Sequence, residues 1–488
     1  MIEYTTTDDN PAHEDALGPD WELICGLEVH VELSTRTKLF CGCRNEFGNE
    51  PNTNVCPTCL GLPGSLPVVN ETAVEYAMRL GLALGCTVQR GVFARKNYFY
   101  PDMPKDFQVS QYDKPTNQDG QLTLPDGVVI GIERAHIEED TGKSTHIGDT
   151  GRIHGATSSL VDYNRAGVPL LEIVARPDVR TAEQAKWYVA ELRSIVEALG
   201  VSDAKMEEGS MRVDANVSVR PVGSTELRTR CEIKNINSIN SLGKAIIHEA
   251  KRHIDLYATG EAPVQETRHW DEAANRTRPG RRKEDADDYR YFPEPDLVPL
   301  VPTDAVIEQI RAGLPALPSA RRASLATAAG VTPNEVALIV ERDLDALASD
   351  AIAAGAAPDR VLIHAEQSMA DGSGALTAEA FAALVRMETD GELSSTQTKD
   401  VLAELIASGG SPADIAAAKG YEAMDSSELE GLLDGLIADH PDEWSRFCGD
   451  DTGDAKKMAG FFTGQIMKAT KGQADGKVVN QLLQARKG

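Results

Sequence analysis

The 488-residue chain contains no run of 18 apolar residues, which excludes an ordinary membrane-spanning helix. Basic residues are scarce: 49 Lys and Arg stand against 76 Asp and Glu, for a net charge of −27. That balance ordinarily argues against a nucleic-acid partner. Only 19 of the 49 basic residues are lysines, a surface style of proteins adapted to high salt. Four of the eight cysteines (Cys25, Cys86, Cys231, Cys448) are scattered singly, and the first residues show no leader pattern. We therefore expect a reducing, cytoplasmic setting, in which disulfides are rare.

The charge that is present is unevenly placed. Asp371–Asp454 carries 19 acidic and 4 basic residues, whereas Ala455–Gly488 carries 7 basic residues and only Asp475. A basic terminus on so acidic a chain points to an anionic partner or, more plainly, to a solvated helix face. Composition divides the chain into a polar, acidic and disordered 1–20, a mixed strand-and-helix segment 21–298, an Ala-rich helical segment 299–408, and a smaller helical unit 409–488. Val69–Leu84 and Thr181–Leu199 have helical periodicity. Met211–Arg220 and Glu226–Asn235 read as a pair of strands.

The first folded segment holds two chemistries. Leu23, Cys25, Leu27, Val29, Val31 and Leu33 alternate with a face that carries Glu28, His30 and Glu32. This is a strand with one side in a core. Its other side is either a solvated edge or, since like charges in a row repel, the seat of a hard divalent cation. Next come Cys41-Gly-Cys43 and Cys56-Pro-Thr-Cys59, two close pairs across 12 residues. Such pairs assemble a closed tetrahedral zinc site; two disulfides are the alternative, disfavoured in a reducing compartment.

Glu138-Glu-Asp-Thr-Gly-Lys-Ser-Thr145 ends like a P-loop, but Ile137 stands where the first glycine belongs and three carboxylates precede the turn. Those carboxylates suit magnesium, which in turn holds phosphate, with Lys143 and Ser144 beside it. A plain turn is the simpler reading. Arg95–Lys105 and Asp288–Asp296 are aromatic loops studded with charge, suited to stacking on bases and gripping phosphates through Lys96, Tyr289 and Arg290. They serve equally as loop plugs. On the paired strands, Asp214 and Asn216 share one face, and so do Glu232 and Lys234. The sum is a magnesium-dependent, ATP-using site built from Glu28, His30, Glu139, Asp214 and Glu232, with Lys234 nearby.

Taken together, GLEVHVEL (26–33), RKNYFYPDMPK (95–105), EEDTGKSTH (138–146), KMEEGSMRVDANVS (205–218), EIKNINS (232–238), DDYRYFPEPDLVPL (287–300) and GQIMKATKGQADGKVVNQLL (464–483) resemble the GatB family, a component of the tRNA-dependent amidotransferases. The resemblance implies an α+β protein: a catalytic cradle of the glutamine synthetase and guanido kinase type, an all-α domain, and a YqeY-like tail that touches tRNA. It implies metal-binding positions at Glu28, His30, Glu139, Asp214 and Glu232, with Glu172 as an addition, and zinc on Cys41, Cys43, Cys56 and Cys59. It implies tRNA contacts in the tail, for which the basic residues are Lys456, Lys457, Lys468, Lys471 and Lys477. The implied reaction uses ATP and Mg2+ to phosphorylate the side-chain carboxylate of misacylated Asp- or Glu-tRNA. Ammonia from the glutaminase GatA, assembled with the small protein GatC, then displaces the phosphate. Two other readings are a stand-alone glutamine-synthetase-like ligase for a small acid or amine, and a zinc-bearing tRNA scaffold without catalysis. The basic tail speaks against the first, and the clustered carboxylates against the second.

Overall fold

The structure is a computed structural model that describes residues 17–147, 156–282, 289–421, 426–449, 452–470 and 476–487. Most of the expected acidic tail over 1–20, together with Lys471, lies outside these residues. The chain divides into two compact units, one ending at Leu317 and the other beginning at Pro318.

The first unit is built on β1 (Trp21–Glu32), β2 (Thr87–Val88), β3 (Ala94–Asn97), β4 (Phe107–Ser110), β5 (Asn117–Thr123), β6 (Val129–Glu139) and β7 (Lys143–Ile147). It continues with β8 (Ser158–Asp162), β9 (Pro169–Ala175), β10 (Met211–Pro221), β11 (Cys231–Ile236), β12 (Glu266–Asp271), β13 (Arg276–Arg282) and β14 (Phe292–Pro293). Twelve of these strands form one sheet in the order β13-β12-β11-β10-β1-β9-β6-β4-β3-β14, with β5 on β6 and β2 on β5. β7 and β8 form a separate two-stranded sheet. Among the described residues only β11 and β12 run parallel, and their connection holds the long helix α3 described next.

Among the described residues four α-helices accompany the sheet: α1 (Glu71–Ala83), α2 (Ala182–Ala198), α3 (Ile239–Ala258) and α4 (Asp304–Ala312). Each starts where a short polar side chain satisfies the first free amides. Asn70 Oδ1 accepts from Thr72 N at 3.0 Å, Thr181 Oγ1 from Gln184 N at 3.0 Å, and Ser238 Oγ from Ser241 N at 3.1 Å. The apolar stripes of α2 (Ala185, Tyr188, Leu192, Ile195) and α3 (Leu242, Ala245, Ile246) meet Leu23, Cys25, Leu27, Val29 and Val31 of β1 in one core. Each fully buried Leu, Ile or Val there contributes about 1.5–3 kcal/mol. With that side of the sheet closed, the interleaved residues of β1 face away from the core. β11 is shorter than the expected strand from Glu226, because Ser224 N turns back onto Pro221 O and regular pairing starts only at Cys231.

The second unit is all helical, with two cores. Leu325, Val336, Phe381, Leu384, Val385, Val401 and Leu405 belong to one; Leu433, Phe447, Phe462, Ile466, Val479 and Leu483 belong to the other. Two expected boundaries move for packing reasons. α4 lies against α1, so the first unit runs on past 298 to Leu317. Ala416, in the helix Pro412–Ala418, is buried in the first of the two helical cores, so the last core begins with the helix Ser426–Asp439 rather than at 409. Among the described residues, no single helix is long and apolar enough to cross a membrane.

Candidate active site on the open face of the sheet

β1 lies between β10 and β9, with Glu28 opposite Asp214, and His30 opposite both Arg212 and Glu172. Glu172 in turn faces His136 of β6, and Asn216 of β10 faces Glu232 of β11. Directly opposed residues share a face, so the register draws a polar row across five strands. It resolves into two groups, each with ligand atoms within 4.8 Å of one another: Glu28, Asp214 and Glu232, and His30, Glu138 and Glu172.

In the first group, Asn216 Nδ2 donates to Glu28 Oε1 at 2.9 Å and Thr267 Oγ1 to Glu232 Oε2 at 2.8 Å. Lys234 Nζ donates to Asp214 Oδ2 at 2.6 Å and lies 3.5 Å from Glu232 Oε1. Burial disfavours the Lys234 charge, but Asp214 and Glu232 outweigh it and hold the ammonium well above the usual lysine range. The lysine thus partly neutralises three converging carboxylates.

In the second group, His30 Nε2 is 3.8 Å from Glu138 Oε1 and 3.7 Å from Glu172 Oε2, and His136 Nε2 is 3.3 Å from Glu172 Oε2. Burial and then the neighbouring Glu172 push the Glu138 carboxyl up. For Glu172 burial acts the same way but loses to His136, His30 and Lys96, and its pKa falls below the usual carboxylate range. Two carboxylates and an imidazole at these separations suit a hard divalent cation.

Of the residues singled out in the sequence, Glu28, His30, Glu172, Asp214, Glu232 and Lys234 come together here. Glu139 does not. A strand turns successive side chains to opposite faces, and Glu139 points away from Glu138. It accepts from Val109 N at 2.9 Å and pairs with the Lys105 ammonium, nearly buried. Glu138 takes the place expected of it. His136-Ile137-Glu138, polar on either side of a fully buried Ile137, is the period-2 signal that singles out this face.

Lys96 faces the second group, lowering both Glu138 and Glu172, while its ammonium lies 4.7 Å from the Tyr289 ring centre. Asn97 Nδ2 anchors the facing loop at the carbonyls of Tyr289 (2.8 Å) and Arg290 (2.9 Å). The Tyr291 ring stacks on Tyr112 at 5.0 Å, and the Arg290 guanidinium lies 5.7 Å from the Phe99 ring centre. Lys143 and Ser144 are exposed on the β7–β8 hairpin, outside both groups.

The four clustered cysteines converge beside this sheet. Cys59 Sγ is 3.4 Å from Cys41 Sγ, 3.5 Å from Cys56 Sγ and 3.6 Å from Cys43 Sγ, and none is in a disulfide. The thiol hydrogen bond from Cys41 holds the Cys59 thiol down to about 4, with the Lys38 ammonium adding to the effect. Lys38, 1% exposed, lies with Nζ 3.8 Å from that sulfur. Four converging sulfurs with a buried ammonium beside one of them fit a structural zinc ion.

In the last helical core, Lys456, Lys457 and Lys468 are exposed on Thr452–Ala469, whose opposite stripe (Met458, Phe462, Ile466) is buried. Lys477 belongs to the helix Gly476–Lys487. Lys471 lies outside the described residues.

Comparisons with known proteins agree with this arrangement. The family described as the GatB/GatE catalytic domain matches residues 23–308, and the GatB domain family matches 361–486. A protein of Frankia casuarinae, named as the B subunit of an aspartyl/glutamyl-tRNA(Asn/Gln) amidotransferase, is 47% identical, over 98% of this chain and 98% of its own length. Proteins of the same name from Nocardia farcinica (47%, over 95% of this chain and 96% of the relative) and Streptomyces avermitilis (46%, over 99% of both) are comparable. A catalytic-domain match across the whole sheet unit and near-complete alignment with these relatives establish that the chain belongs to the GatB family.

Proposed function

We propose that the open face of this sheet carries the activating half of tRNA-dependent amidation. As the GatB-family component of the amidotransferase, the chain works with the glutaminase GatA and with GatC on misacylated Asp-tRNA(Asn) or Glu-tRNA(Gln), making Asn-tRNA or Gln-tRNA. The observation that carries the reading is the row of two three-ligand groups on one sheet face.

The substrate's side-chain carboxylate is inert to ammonia. Its oxygen attacks the γ-phosphorus of ATP, ADP leaves, and an acyl phosphate forms. Ammonia then adds at the acyl carbon and inorganic phosphate departs. Glu28, Asp214 and Glu232, with His30, Glu138 and Glu172, are the residues that would hold magnesium; bound there, it screens phosphate charge and orients the γ-phosphoryl group. Lys96 and Lys234 bring fixed cations to the two ends of the row. Tyr289 and Arg290 are read as the residues that grip the nucleotide, a reading supported by the charged, aromatic character of their loop. The four cysteines brace the fold around zinc. The fold is read as a cradle of the glutamine synthetase and guanido kinase type, and the last helical core as a YqeY-like tRNA-binding unit.

Glu28→Gln keeps the side chain's shape and removes a ligand charge. Product formation from misacylated tRNA, with ammonium chloride as nitrogen donor, should fall by on the order of 10²-fold or more. A broken ammonia route would be bypassed by ammonium, whereas this lesion precedes ammonia's attack. Near-normal product from a folded Glu28→Gln complex would overturn the assignment.

A further inference from the structure

The cysteine knuckle is tied to one corner of the open face by a set of hydrogen bonds. The loop within the knuckle and the turn after β8 clasp each other. Asn52 N donates to Asp162 Oδ1 (3.0 Å), Asn52 Nδ2 to Val161 O (3.0 Å), and Tyr163 N returns to Asn52 Oδ1 (2.8 Å). Asn54 N donates to Asn164 Oδ1 (2.8 Å), and Asn164 Nδ2 to Glu50 O (2.7 Å). A second link runs from the base of the knuckle, where Leu39 N donates to Gly167 O at 2.8 Å. Lys38 joins both ends, since its ammonium serves Asn54 O (3.0 Å) as well as the Cys59 sulfur.

The clasped turn leads directly into Arg165. Its guanidinium donates to Thr141 O (3.0 Å) and Gly142 O (3.1 Å) and lies 3.5 Å from Asp140 Oδ2. Arg212, opposite His30 on β10, reaches the same Asp140 oxygen at 2.8 Å. Tyr163 OH adds a bond to Pro101 O (2.7 Å), and Gly142 N one to Asp102 O (2.8 Å). Two guanidinia, 37% and 34% exposed, therefore sit at the end of the polar row next to the His30 group, with the carboxylates of Asp140 and Glu32 beside them, and the backbone of Arg165 follows directly on the turn that the knuckle clasps. Gly167, with φ +84°, makes the tight return that this route needs, and a Cβ there would lie 3.7 Å from Lys38 Cδ.

We propose that the cysteine knuckle is a positioning device: through Asn52, Asn54 and Asn164 it fixes Arg165, so that Arg165 and Arg212 form an anion-holding corner for the phosphate or carboxylate oxygens at the catalytic face. This rests on the reading of that face as the activating site. Asn52, Asn54 and Asn164 are positioning residues and touch no substrate. Their effect follows from the sensitivity of phosphoryl transfer to placement, where a shift of about 1 Å costs up to 10²-fold.

The test uses the full complex and two readouts. Amide hydrogen exchange is measured on the parent, on zinc-stripped protein and on Asn164→Ala, with metal content determined in each. Stripping should raise exchange within 38–59 and also at residues 140–142 and 163–168. Asn164→Ala should raise exchange at that second segment alone, with zinc retained and the strands β10 and β11 unchanged. In amidation with ammonium, Asn164→Ala should lower kcat about ten-fold with little change in KM for tRNA, and Asn164→Asp, which keeps the acceptor for Asn54 N, should recover part of it. Exchange confined to the knuckle on stripping, or unchanged kcat in Asn164→Ala, overturns the proposal. A parent without zinc removes the metal from it, and the Asn164 variants then decide whether the clasp positions Arg165. A catalytic face wrongly assigned shows separately, as an active Glu28→Gln.

Discussion

Glu138 and Glu139 are neighbours in the chain with opposite duties. Glu138 looks across the sheet to His30 and Glu172, whereas Glu139 is sealed beneath it against Lys105. Substituting each therefore fails in a different way. Glu138→Gln should leave thermal stability within about 1 kcal/mol of the parent, as expected where no buried counter-charge is stranded, and abolish activation of misacylated tRNA. Glu139→Gln strands a buried ammonium and should cost about 3 kcal/mol. Thermal unfolding and amidation rates of the two variants separate the cases, and a destabilised Glu138→Gln with an unperturbed Glu139→Gln would exchange their roles. The sequence makes Glu28, His30, Asp214 and Glu232 legible because each sits in an alternating run whose partner positions are apolar. It misleads at Glu139, since three successive carboxylates offer no phase until Ile137 is recognised as core. Thr267, which orients Glu232, carries no distinctive signal, because a hydroxyl becomes informative only when its partner is known; Asn216 is legible as sharing the face of Asp214, but its bond to Glu28 is not.

Among the helices, Glu388 ties two elements of the second unit together. On Ala378–Thr389, it faces His364 Nε2 at 2.7 Å and the Arg360 guanidinium, both on Pro358–Ser368. Burial raises its pKa, but the hydrogen bonds from His364 and Arg360 hold it down to about 2, below its ordinary 4.5. A depressed carboxylate stabilises the fold above its unfolded pKa and loses that contribution as pH falls through the folded one. The contribution is thus complete above pH 4.5 and disappears toward pH 2. Glu388→Gln should lower stability by about 2 kcal/mol at neutral pH, and its urea midpoint should then fall less steeply than the parent's between those limits. Parallel slopes in the full chain would remove Glu388 from the account of acid unfolding. Helical periodicity announces these elements, but nothing in it says which exposed-looking Glu meets which His, because that depends on how two helices cross.

Taken as a whole, the molecule is acidic on both sides of Pro318, with 49 of its 76 Asp and Glu residues before it, and basic residues outnumber acidic ones in its last segment, 455–488. Removing residues 455–488 would also remove Met458, Phe462, Ile466, Val479 and Leu483, and with them most of the last core. Side-chain truncation is the cleaner test of the tRNA reading. Lys456→Ala, Lys457→Ala and Lys468→Ala together leave that core intact and should weaken tRNA binding, lowering the slope of log affinity against log salt by about 2–3. Glutaminase activity of GatA should be unaffected. Unchanged affinity and slope would assign these lysines to solvation alone. Composition is enough to show where sheet gives way to helix. It does not place the boundary at Leu317, because α4 looks like the helices after it and belongs with the sheet only through its contact with α1.

β1 is the first of the described strands, yet it lies in the interior of the sheet between β9 and β10, which begin at Pro169 and Met211. During synthesis at roughly 5–20 residues per second, that strand waits on the order of ten seconds for both neighbours to emerge. Until β9 emerges an apolar, β-prone segment presents two bare edges, and until β10 follows it presents one, the kind of surface that joins the wrong chain. The carboxylates Glu28 and Glu32, interleaved with its apolar residues, are, on the nascent chain, the charges that make such a mispairing less favourable.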